Sequence, residues 1–283
     1  MMYSSTILEL LRTGDDYLQS CGVEGSRAEA DILLAYVLNT TRDKLYLDID
    51  TAITNDNKTR YTDLLRRRGS REPLAYLLQG RSFMDFEFFV DERVLIPRPE
   101  TELLVEKSLD IGKGRIQSEI RLLDLCTGSG ILAVSISKYW PEASVTAVDI
   151  SEDALDVARI NAERLNVRVD FRQGDLFEPV IGEKFHIIVS NPPYISLDEY
   201  QECSPEVKRE PAQALLAGED GLDFYRRIAQ GAHEYLRQEG KILMEIGCNQ
   251  AYEVRTIFQE KGYKCTVYSD LAGLDRIVLA EEE

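Results

Sequence analysis

The last two thirds of the chain alternate between short apolar runs and longer amphipathic segments. The apolar runs are typical of buried strands and cover residues 122–125, 145–149, 167–171, 185–190, 241–246, 264–268 and 276–280. Helical patterns separate most of them, notably over residues 151–165, 223–236 and 249–261. This alternation predicts an α/β fold, a doubly wound and mostly parallel seven-stranded sheet with helices on both faces. Only residues 269–275 separate the last two runs, which is too short for a crossover helix and predicts antiparallel neighbours.

The first 82 residues predict a separate, small helical domain. Apolar residues recur there at helical spacing, and Ser26 with Glu29 three positions later predicts a capping box at one helix start. Between residues 83 and 98, apolar and acidic residues alternate, which predicts a β-hairpin connector to the sheet domain of residues 99–283. A helix begins near Thr101, where Glu100 suits the helix dipole. An alternative places Arg98 or Glu100 over a ligand pocket.

The composition is that of an ordinary globular protein. Hydrophobic residues make up 44% of the 283 residues and charged residues 29%. No apolar run approaches the ~20 residues that span a bilayer, and the first residues lack a secretion signal, so we expect a cytoplasmic protein without membrane contact. Five cysteines without a CxxC pair and only two histidines predict reduced thiols and no metal site.

The net charge of −17 disfavours direct binding to nucleic acid, whose phosphates need Lys and Arg partners. The exception is a basic cluster that consists of Lys58, Arg60, Arg66, Arg67, Arg68 and Arg71. Such a run is typical of a solvated helix face, and a docking site for a partner is the alternative.

A glycine-rich turn follows the first predicted strand of the sheet. The sequence Cys126-Thr127-Gly128-Ser129-Gly130 leads into a helix, so that a ligand can approach the backbone and the free N–H groups of the helix. Asp149 ends the next strand, 19 residues after Gly130 (149 − 130). A carboxylate at that point can accept hydrogen bonds from both hydroxyls of a ribose.

Two cofactors fit this turn. The spacing from Gly128 matches the G-x-G-x-x-A form of the NAD fingerprint. Asp124, however, would repel a pyrophosphate, whereas the cationic end of S-adenosylmethionine would gain from it, directly or through water. Asp175 and Leu176 follow the third strand and suit the amino group and the ring of adenine. No residue pair for hydride transfer is apparent, so the residues favour S-adenosylmethionine over NAD.

Asn191-Pro192-Pro193-Tyr194 follows the fourth apolar run of the sheet. Because neither proline can donate to a sheet ladder, the strand ends in a rigid lip at the edge where parallel sheets bind ligands. The side-chain oxygen of Asn191 and the carbonyl of Pro192 offer two acceptors to a planar –NH2 group, and Tyr194 offers a stacking face. Alone, the tetrapeptide is also typical of an ordinary turn.

With these residues in place, the chain resembles the HemK/PrmC family of protein-(glutamine-N5) methyltransferases, which are class I S-adenosylmethionine-dependent enzymes. The resemblance covers essentially the whole chain, including Pro73-Leu74-Ala75-Tyr76, residues 95–102, the glycine turn and the lip. It implies a substrate-recognition domain over residues 1–82 and a methyltransferase domain over residues 99–283. We expect a monomer.

The resemblance implies that the chain methylates the side-chain amide N5 of the glutamine in the Gly-Gly-Gln loop of peptide chain release factors, in translation termination. It implies that the cofactor contacts Cys126, Thr127, Gly128, Ser129, Gly130, Asp149, Asp175, Leu176 and Asn191. It also implies that the substrate amide lies against Asn191, Pro192, Pro193 and Tyr194. Asn191 would be the catalytic residue.

Two residues depart from the family pattern. Cys126 stands where glycine is usual, and it can serve through its backbone provided that its φ is negative. Leu176 stands where an aromatic residue is often found and would stack less well on adenine. Three alternatives stay open: methylation of exocyclic amino groups of nucleic acid, an NAD-dependent dehydrogenase and a cofactor-free binding module.

Overall fold

A computed structural model describes residues 5–113 and 120–282, which cluster into two compact units. The helical unit contains residues 5–79 and 205–209, and the sheet unit contains residues 80–113, 120–204 and 210–282. The chain therefore leaves the sheet unit after Ser204 and returns to it at Glu210.

In the helical unit, five α-helices of the described residues surround an apolar core. They are α1 (Ile7–Ser20), α2 (Ser26–Leu38), α3 (Arg42–Leu47), α4 (Asn55–Gly69) and α5 (Leu74–Leu78). Leu18, Leu33 and Leu34 are completely buried, and Tyr61 of α4 packs in the same cluster. The helical pattern predicted for this part of the chain is confirmed.

The predicted capping box at Ser26 is wrong. Helix α2 begins at Ser26, but its N-cap is Gly25 with φ +67°, and no side chain caps the helix. The Ser26 hydroxyl donates instead to the Asp15 carboxylate at 2.5 Å, and Glu29 accepts from the Arg68 guanidinium. Partners on neighbouring segments therefore replace the local capping bonds.

Arg68 also departs from the prediction of a solvated basic face. Its side chain is buried and bridges Glu29 and Glu206, while Arg71 pairs with the second oxygen of Glu206. Arg66, by contrast, is 71% exposed. The basic cluster thus combines an exposed face with one arginine that holds the unit together.

The sheet unit alternates strands and helices. Its strands are β1 (Arg81–Phe83), β2 (Phe86–Phe88), β3 (Arg121–Leu125), β4 (Ser144–Asp149), β5 (Asp170–Gln173), β6 (Phe185–Ser190), β7 (Leu236–Glu245), β8 (Tyr263–Ser269) and β9 (Asp275–Glu282). Its α-helices are α6 (Glu102–Lys113), α7 (Ile131–Tyr139), α8 (Glu152–Leu165), α9 (Leu197–Glu202), α10 (Asp223–Gly231) and α11 (Ala251–Gln259). Strands β1 and β2 form an antiparallel hairpin, shorter than the predicted segment of residues 83–98.

The main sheet has seven strands in the order β5-β4-β3-β6-β7-β9-β8. Strands β3 to β7 are parallel, and β9 runs antiparallel to both β7 and β8, which confirms the predicted end of the fold. The chain moves outward from β3 to β5 and then returns to the other side of β3. This reversal opens a crevice beyond the carboxyl ends of β3 and β6, where open sheets bind ligands.

Both faces of the central strands are buried. Leu122 and Ile187 pack in one apolar layer, whereas their neighbours Leu123 and Ile188 pack in the layer on the opposite face. Helices cover each layer, which explains why these strands are continuous apolar runs without polar alternation.

The predicted strand over residues 167–171 is shifted in the structure. Strand β5 begins only at Asp170, because Val167 is hydrogen-bonded back onto helix α8, which ends at Leu165. Asn166 adopts φ +52° there, and the N–H of Val167 donates to the carbonyl of Ala162 at 3.0 Å. The apolar Val167 thus closes a left-handed helix C-terminus, a role that hydrophobicity alone does not distinguish from a strand.

Candidate functional site

The glycine turn and the proline lip lie side by side at the switch point of the sheet. Leu125 of β3 pairs with Ser190 of β6, and the Ser190 hydroxyl donates to the Leu125 carbonyl at 2.7 Å. A cavity of about 340 Å³ opens above them, within the size range of small-molecule sites. Its lining includes nine predicted residues: Cys126, Thr127, Gly128, Ser129, Asp149, Asp175, Leu176, Asn191 and Pro193.

Gly128 holds the turn in contact with the second strand. Its φ is +55°, and its N–H donates to Asp149 Oδ2 at 2.8 Å. Asp149 Oδ1 accepts from the N–H of Ser151 at 3.0 Å. Burial raises the pKa of Asp149, although these backbone donors oppose the rise. The carboxylate is thereby fixed at the cavity wall, with its remaining lone pairs as the acceptors for a ligand.

Gly130 has a packing role. It is the N-cap of α7, with φ +77°, and does not line the cavity. A β-carbon at this position would lie 2.8 Å from the β-carbon and 3.1 Å from the α-carbon of Ala158. Glycine is therefore required for the close approach of α7 and α8, whereas the sequence had indicated a direct role in ligand approach.

Cys126 does not meet the condition on which its backbone role was predicted. Its φ is +59°, in the left-handed region that favours glycine. Burial raises the pKa of the Cys126 thiol, and the negative charges of Asp149 and Asp124 raise it further. The cysteine is thus a protonated, conformationally strained part of the cavity wall.

Asp124 lies beneath the glycine turn and does not line the cavity. Its side chain is completely buried, and its Oδ2 accepts from the Thr127 hydroxyl at 2.6 Å and from the N–H of Ala133 at 3.2 Å. Asp124 Oδ1 has no partner among the described residues. Burial raises the pKa of Asp124 to about 7. The Asp124 carboxylate could therefore act on a cationic ligand only electrostatically, through the glycine turn that separates it from the cavity.

The adenine end of the predicted pocket contains residues that the sequence had not indicated. Asp175 Oδ2 accepts from Arg227 at 2.6 Å, so an adenine amino group would have to use Oδ1. Ile150 lines the cavity and is 51% exposed, although it directly follows a buried strand. Ile150 could have been predicted from the sequence, because it is an apolar residue directly after the Asp149 carboxylate at the end of a strand. Leu176 is buried and also lines the cavity.

The lip holds Asn191 with its acceptor end free. Asn191 Nδ2 donates to Thr101 Oγ1 at 3.3 Å, whereas the buried Oδ1 has no partner among the described residues. Within the same described ranges, no group donates to the carbonyl of the buried Pro192. The carbonyl of Tyr194, by contrast, accepts from Gln250 Nε2 at 2.9 Å. Both acceptors predicted for the substrate are thus unused within the described residues.

Pro192 and Tyr194 do not line the cavity itself. Tyr194 packs against the apolar layer that contains Ile188, and burial raises its pKa to about 12. The roles predicted for both residues toward the substrate amide stay predictions.

Glu210, which the sequence reasoning missed, fixes the loop before α6. Its Oε1 accepts from Arg98 at 2.6 Å and its Oε2 accepts from the N–H of Ile96 at 2.9 Å. Arg98 lines the cavity, whereas Glu100 does not. The alternative that places Arg98 or Glu100 over the pocket therefore holds for Arg98 only.

Neither a metal centre nor a membrane span is found in the described residues. No group of three or more potential ligand side chains is suited to hold a metal ion, and no helix is long and apolar enough to cross a bilayer. The cysteines that the structure describes are all free thiols.

Comparisons with known proteins identify both parts of the chain. The family model "PrmC N-terminal domain" matches residues 9–78, and "Methyltransferase small domain" matches residues 100–210. A methyltransferase from Pyrococcus furiosus has the same fold, with a TM-score of 0.53 and 18% identity over 69% of this chain and 88% of that chain.

Curated relatives extend the similarity over nearly the full length. A release factor glutamine methyltransferase of Geobacter sulfurreducens is 40% identical over 96% of this chain and 95% of its own. A release factor glutamine methyltransferase of Clostridium acetobutylicum is 42% identical over 89% of this chain and 90% of its own. The chain therefore belongs to the family of release factor glutamine methyltransferases.

Proposed function

We propose that this protein transfers a methyl group from S-adenosylmethionine to the side-chain amide N5 of the glutamine in the Gly-Gly-Gln loop of peptide chain release factors. The similarity to relatives named for this activity supports the substrate class. The unused pair of acceptors at the lip, Asn191 Oδ1 and the Pro192 carbonyl, is the observation that carries the assignment.

The residues present fit the cofactor of this family, S-adenosylmethionine. The turn at Gly128 provides a left-handed backbone without a side chain at the cavity wall, and Asp149 provides acceptors for ribose hydroxyls. Ile150 and Leu176 provide apolar surface suited to adenine. When bound, the cofactor supplies an electrophilic methyl group on a sulfonium sulfur.

The lip residues supply orientation for a poor nucleophile. The lone pair of a carboxamide nitrogen is delocalised into its carbonyl, so the nitrogen reacts only when it is held in line. Two acceptors, Asn191 Oδ1 and the Pro192 carbonyl, would receive its two N–H groups and fix that nitrogen against the cavity. Because both acceptors belong to a proline-stiffened segment, little reorganisation is needed on binding. Transfer would leave the cofactor as the neutral thioether S-adenosylhomocysteine, and the methylated nitrogen would lose one of its two protons to solvent. Because an N-alkylated amide cation is strongly acidic, no strong base is required for this step.

The test is the transfer of labelled methyl groups to a purified release factor, followed by mass mapping of the modified peptide. We expect one methyl group on the glutamine of the Gly-Gly-Gln loop. Asn191→Ala should lower turnover about 100- to 1000-fold, as does the loss of one aligned transition-state contact, while calorimetry shows near-normal cofactor binding. Asn249→Ala, at an exposed position, is the matched control. Loss of cofactor binding in Asn191→Ala would contradict its assigned role.

The same lip would also accept the exocyclic amino group of a nucleobase. The net charge of −17 argues against a nucleic-acid substrate, because a polyanion would be repelled. Bulk RNA in parallel reactions separates the two substrates, since preferential labelling of RNA would overturn the release-factor assignment.

We further propose that the protein is a cytoplasmic monomer. Light scattering would test the oligomeric state, and cell fractionation would test the location.

A further inference from the structure

Three polar side chains from three elements meet behind the lip. Thr101 ends the short turn before α6, Asn191 follows β6, and Glu245 is the last residue of β7. Ser190 pairs with Met244 in the parallel ladder, so Asn191 and Glu245 lie level with each other on adjacent strands. Thr101 and Glu245 are only 2% and 3% exposed, so water does not screen this group. The mechanism described above uses Asn191 but assigns nothing to Glu245.

Two acceptors surround the donor end of the Asn191 amide. Thr101 Oγ1 accepts from Nδ2 at 3.3 Å, and the parallel pairing of Ser190 with Met244 places Glu245 opposite Asn191 on the neighbouring strand. An ionised carboxylate has only acceptor atoms, so it attracts the –NH2 end of the amide and repels the oxygen end. The opposite end of the amide, Oδ1, is the atom without a partner in the described structure.

We propose that Glu245 is a positioning residue that, together with Thr101, fixes the orientation of the Asn191 amide so that Oδ1 serves the substrate. Rotation of the amide by 180° would place Oδ1 against the carboxylate and present –NH2 to a substrate group that is itself a donor. The negative charge of Glu245 prevents this rotation. The inference rests on the proposed function, because it gives Asn191 Oδ1 the role of acceptor for the substrate amide.

The protonation state of Glu245 should therefore control the site. Burial raises the pKa of Glu245 to about 7, Glu100 adds to the rise, and Thr101, Arg276 and Asn191 oppose it. The titratable phenols of the half-buried Tyr194 and the buried Tyr225 interact with the same carboxylate. A protonated Glu245 can donate a hydrogen bond and so tolerates Oδ1 as its neighbour. The amide then loses its fixed orientation, and turnover falls as the pH drops through about 7.

The first experiment follows turnover in Glu245→Gln, a variant of similar size without the charge. We expect kcat to fall about 10- to 100-fold, the range for loss of a group that orients a site residue, with an unchanged KM for S-adenosylmethionine. The acid limb near pH 7 of the wild-type profile should disappear. Thr101→Ser keeps the hydroxyl and should retain most activity, whereas Thr101→Val should lower kcat. A wild-type rate and an unchanged pH profile in Glu245→Gln would overturn the proposal.

An exchange of the two groups gives a sharper test. Asn191→Asp alone places two carboxylates together and should lower kcat more than 100-fold. In the double variant Asn191→Asp with Glu245→Gln, the new amide donates to the new carboxylate, whose second oxygen can still accept the substrate N–H. We expect the second change to raise kcat at least 10-fold above that of Asn191→Asp. A further loss of activity in the double variant would contradict the positioning role.

A measurement without substrate separates this inference from the proposed function. In the full-length protein, the side-chain amide resonances of Asn191 are identified by their loss in Asn191→Asp. In the wild-type chain they should shift with a midpoint near pH 7, and in Glu245→Gln that midpoint should be absent. Should this titration occur while no release factor is methylated, the proposed function fails and the positioning of Asn191 stands. Identical titration curves in the two proteins would overturn the positioning role.

Discussion

Glu29 and Glu206 of the helical unit are partly buried and have both oxygens paired, whereas two fully buried carboxylates of the central strands, Asp124 and Glu245, do not. Both oxygens of Glu29 and both oxygens of Glu206 accept from arginines, chiefly Arg68. In the sheet unit, Asp124 Oδ1 and Glu245 Oε2 are buried without a partner in the described residues. An unpaired buried acceptor destabilises a fold by about 1–3 kcal/mol, so its retention indicates a use other than stability.

Glu210 shows that this contrast depends on position and not on the unit. It belongs to the sheet unit, is 5% exposed and has both oxygens engaged, by Arg98 and by the N–H of Ile96. It anchors a loop, as Glu29 anchors a helix. Carboxylates that hold segments together are paired, and those beneath the glycine turn and behind the lip keep free acceptor atoms.

The largest effect should follow from breaking a paired carboxylate. Arg68→Met keeps the apolar stem of the side chain but leaves Glu29 and Glu206 without their shared cation. We expect a loss of about 3–5 kcal/mol in unfolding free energy, as for other buried pairs that lose one member. Calorimetry and urea unfolding of the full-length protein would measure it.

Arg66→Met is the matched control for that change. Arg66 lies two positions away on α4, and its pair with Asp63 is exposed, with the two side chains 71% and 52% accessible. Its loss should change stability by less than about 0.5 kcal/mol. Equal effects of the two substitutions would contradict the distinction between the buried bridge and the exposed pair.

An intermediate, pH-dependent effect should follow from neutralising an unpaired carboxylate. Burial raises the pKa of Asp124 to about 7. The folded protein therefore holds a proton that the unfolded chain has released, so stability falls as the pH rises from about 4 to about 7. Asp124→Asn removes this dependence. Relative to wild type, the variant should gain at least about 1.4 kcal/mol between pH 5 and pH 8, the equivalent of one pKa unit.

Urea unfolding at several pH values would measure that gain as a change in slope. The new amide nitrogen also lacks an acceptor, but this cost does not vary with pH and cancels in the comparison. Asp153→Asn, at an exposed position of α8, serves as the control. A constant stability difference between Asp124→Asn and wild type across the pH range would show that Asp124 does not titrate near 7.

Much of the sheet was predictable because its strands are buried on both faces. Strand β6 begins and ends where the apolar run and the proline pair predicted, at Phe185 and Ser190. Strand β5 was misplaced because it lies at the sheet edge, where Val167 closes a helix and the strand itself is partly polar. The hydrophobic pattern predicts which residues are buried. It distinguishes a strand from a helix end only where just one of the two would bury those residues.

The site was predictable where it depends on strand ends, since parallel strands bring their carboxyl ends together. Asp149 and Asn191 reach the same cavity for that reason. The positive φ of Cys126 and the position of Glu245 beside Asn191 depend on contacts between segments that are distant in the sequence. Glu245 is the only acid within the apolar run of residues 241–246 and lies one position before its end, so an acid near a strand end was an available signal.

The smallest effect should come from relieving backbone strain at the site. Cys126 keeps a β-carbon at φ +59°, which costs about 1–2 kcal/mol relative to glycine. Cys126→Gly removes that strain but loses the buried thiol and adds about 0.5–1 kcal/mol of unfolded-chain entropy, so stability should change by less than about 1 kcal/mol. Cys126→Ala loses the thiol and keeps the strain, and should be about 1 kcal/mol less stable than the glycine variant. Glycine also removes the β-carbon from the cavity wall and so lets a ligand approach the backbone more closely. Calorimetry should therefore show tighter cofactor binding in Cys126→Gly than in Cys126→Ala. Equal stability and affinity in the two variants would mean that the left-handed backbone at this turn carries no strain, and that free acceptors alone distinguish the site from the rest of the fold.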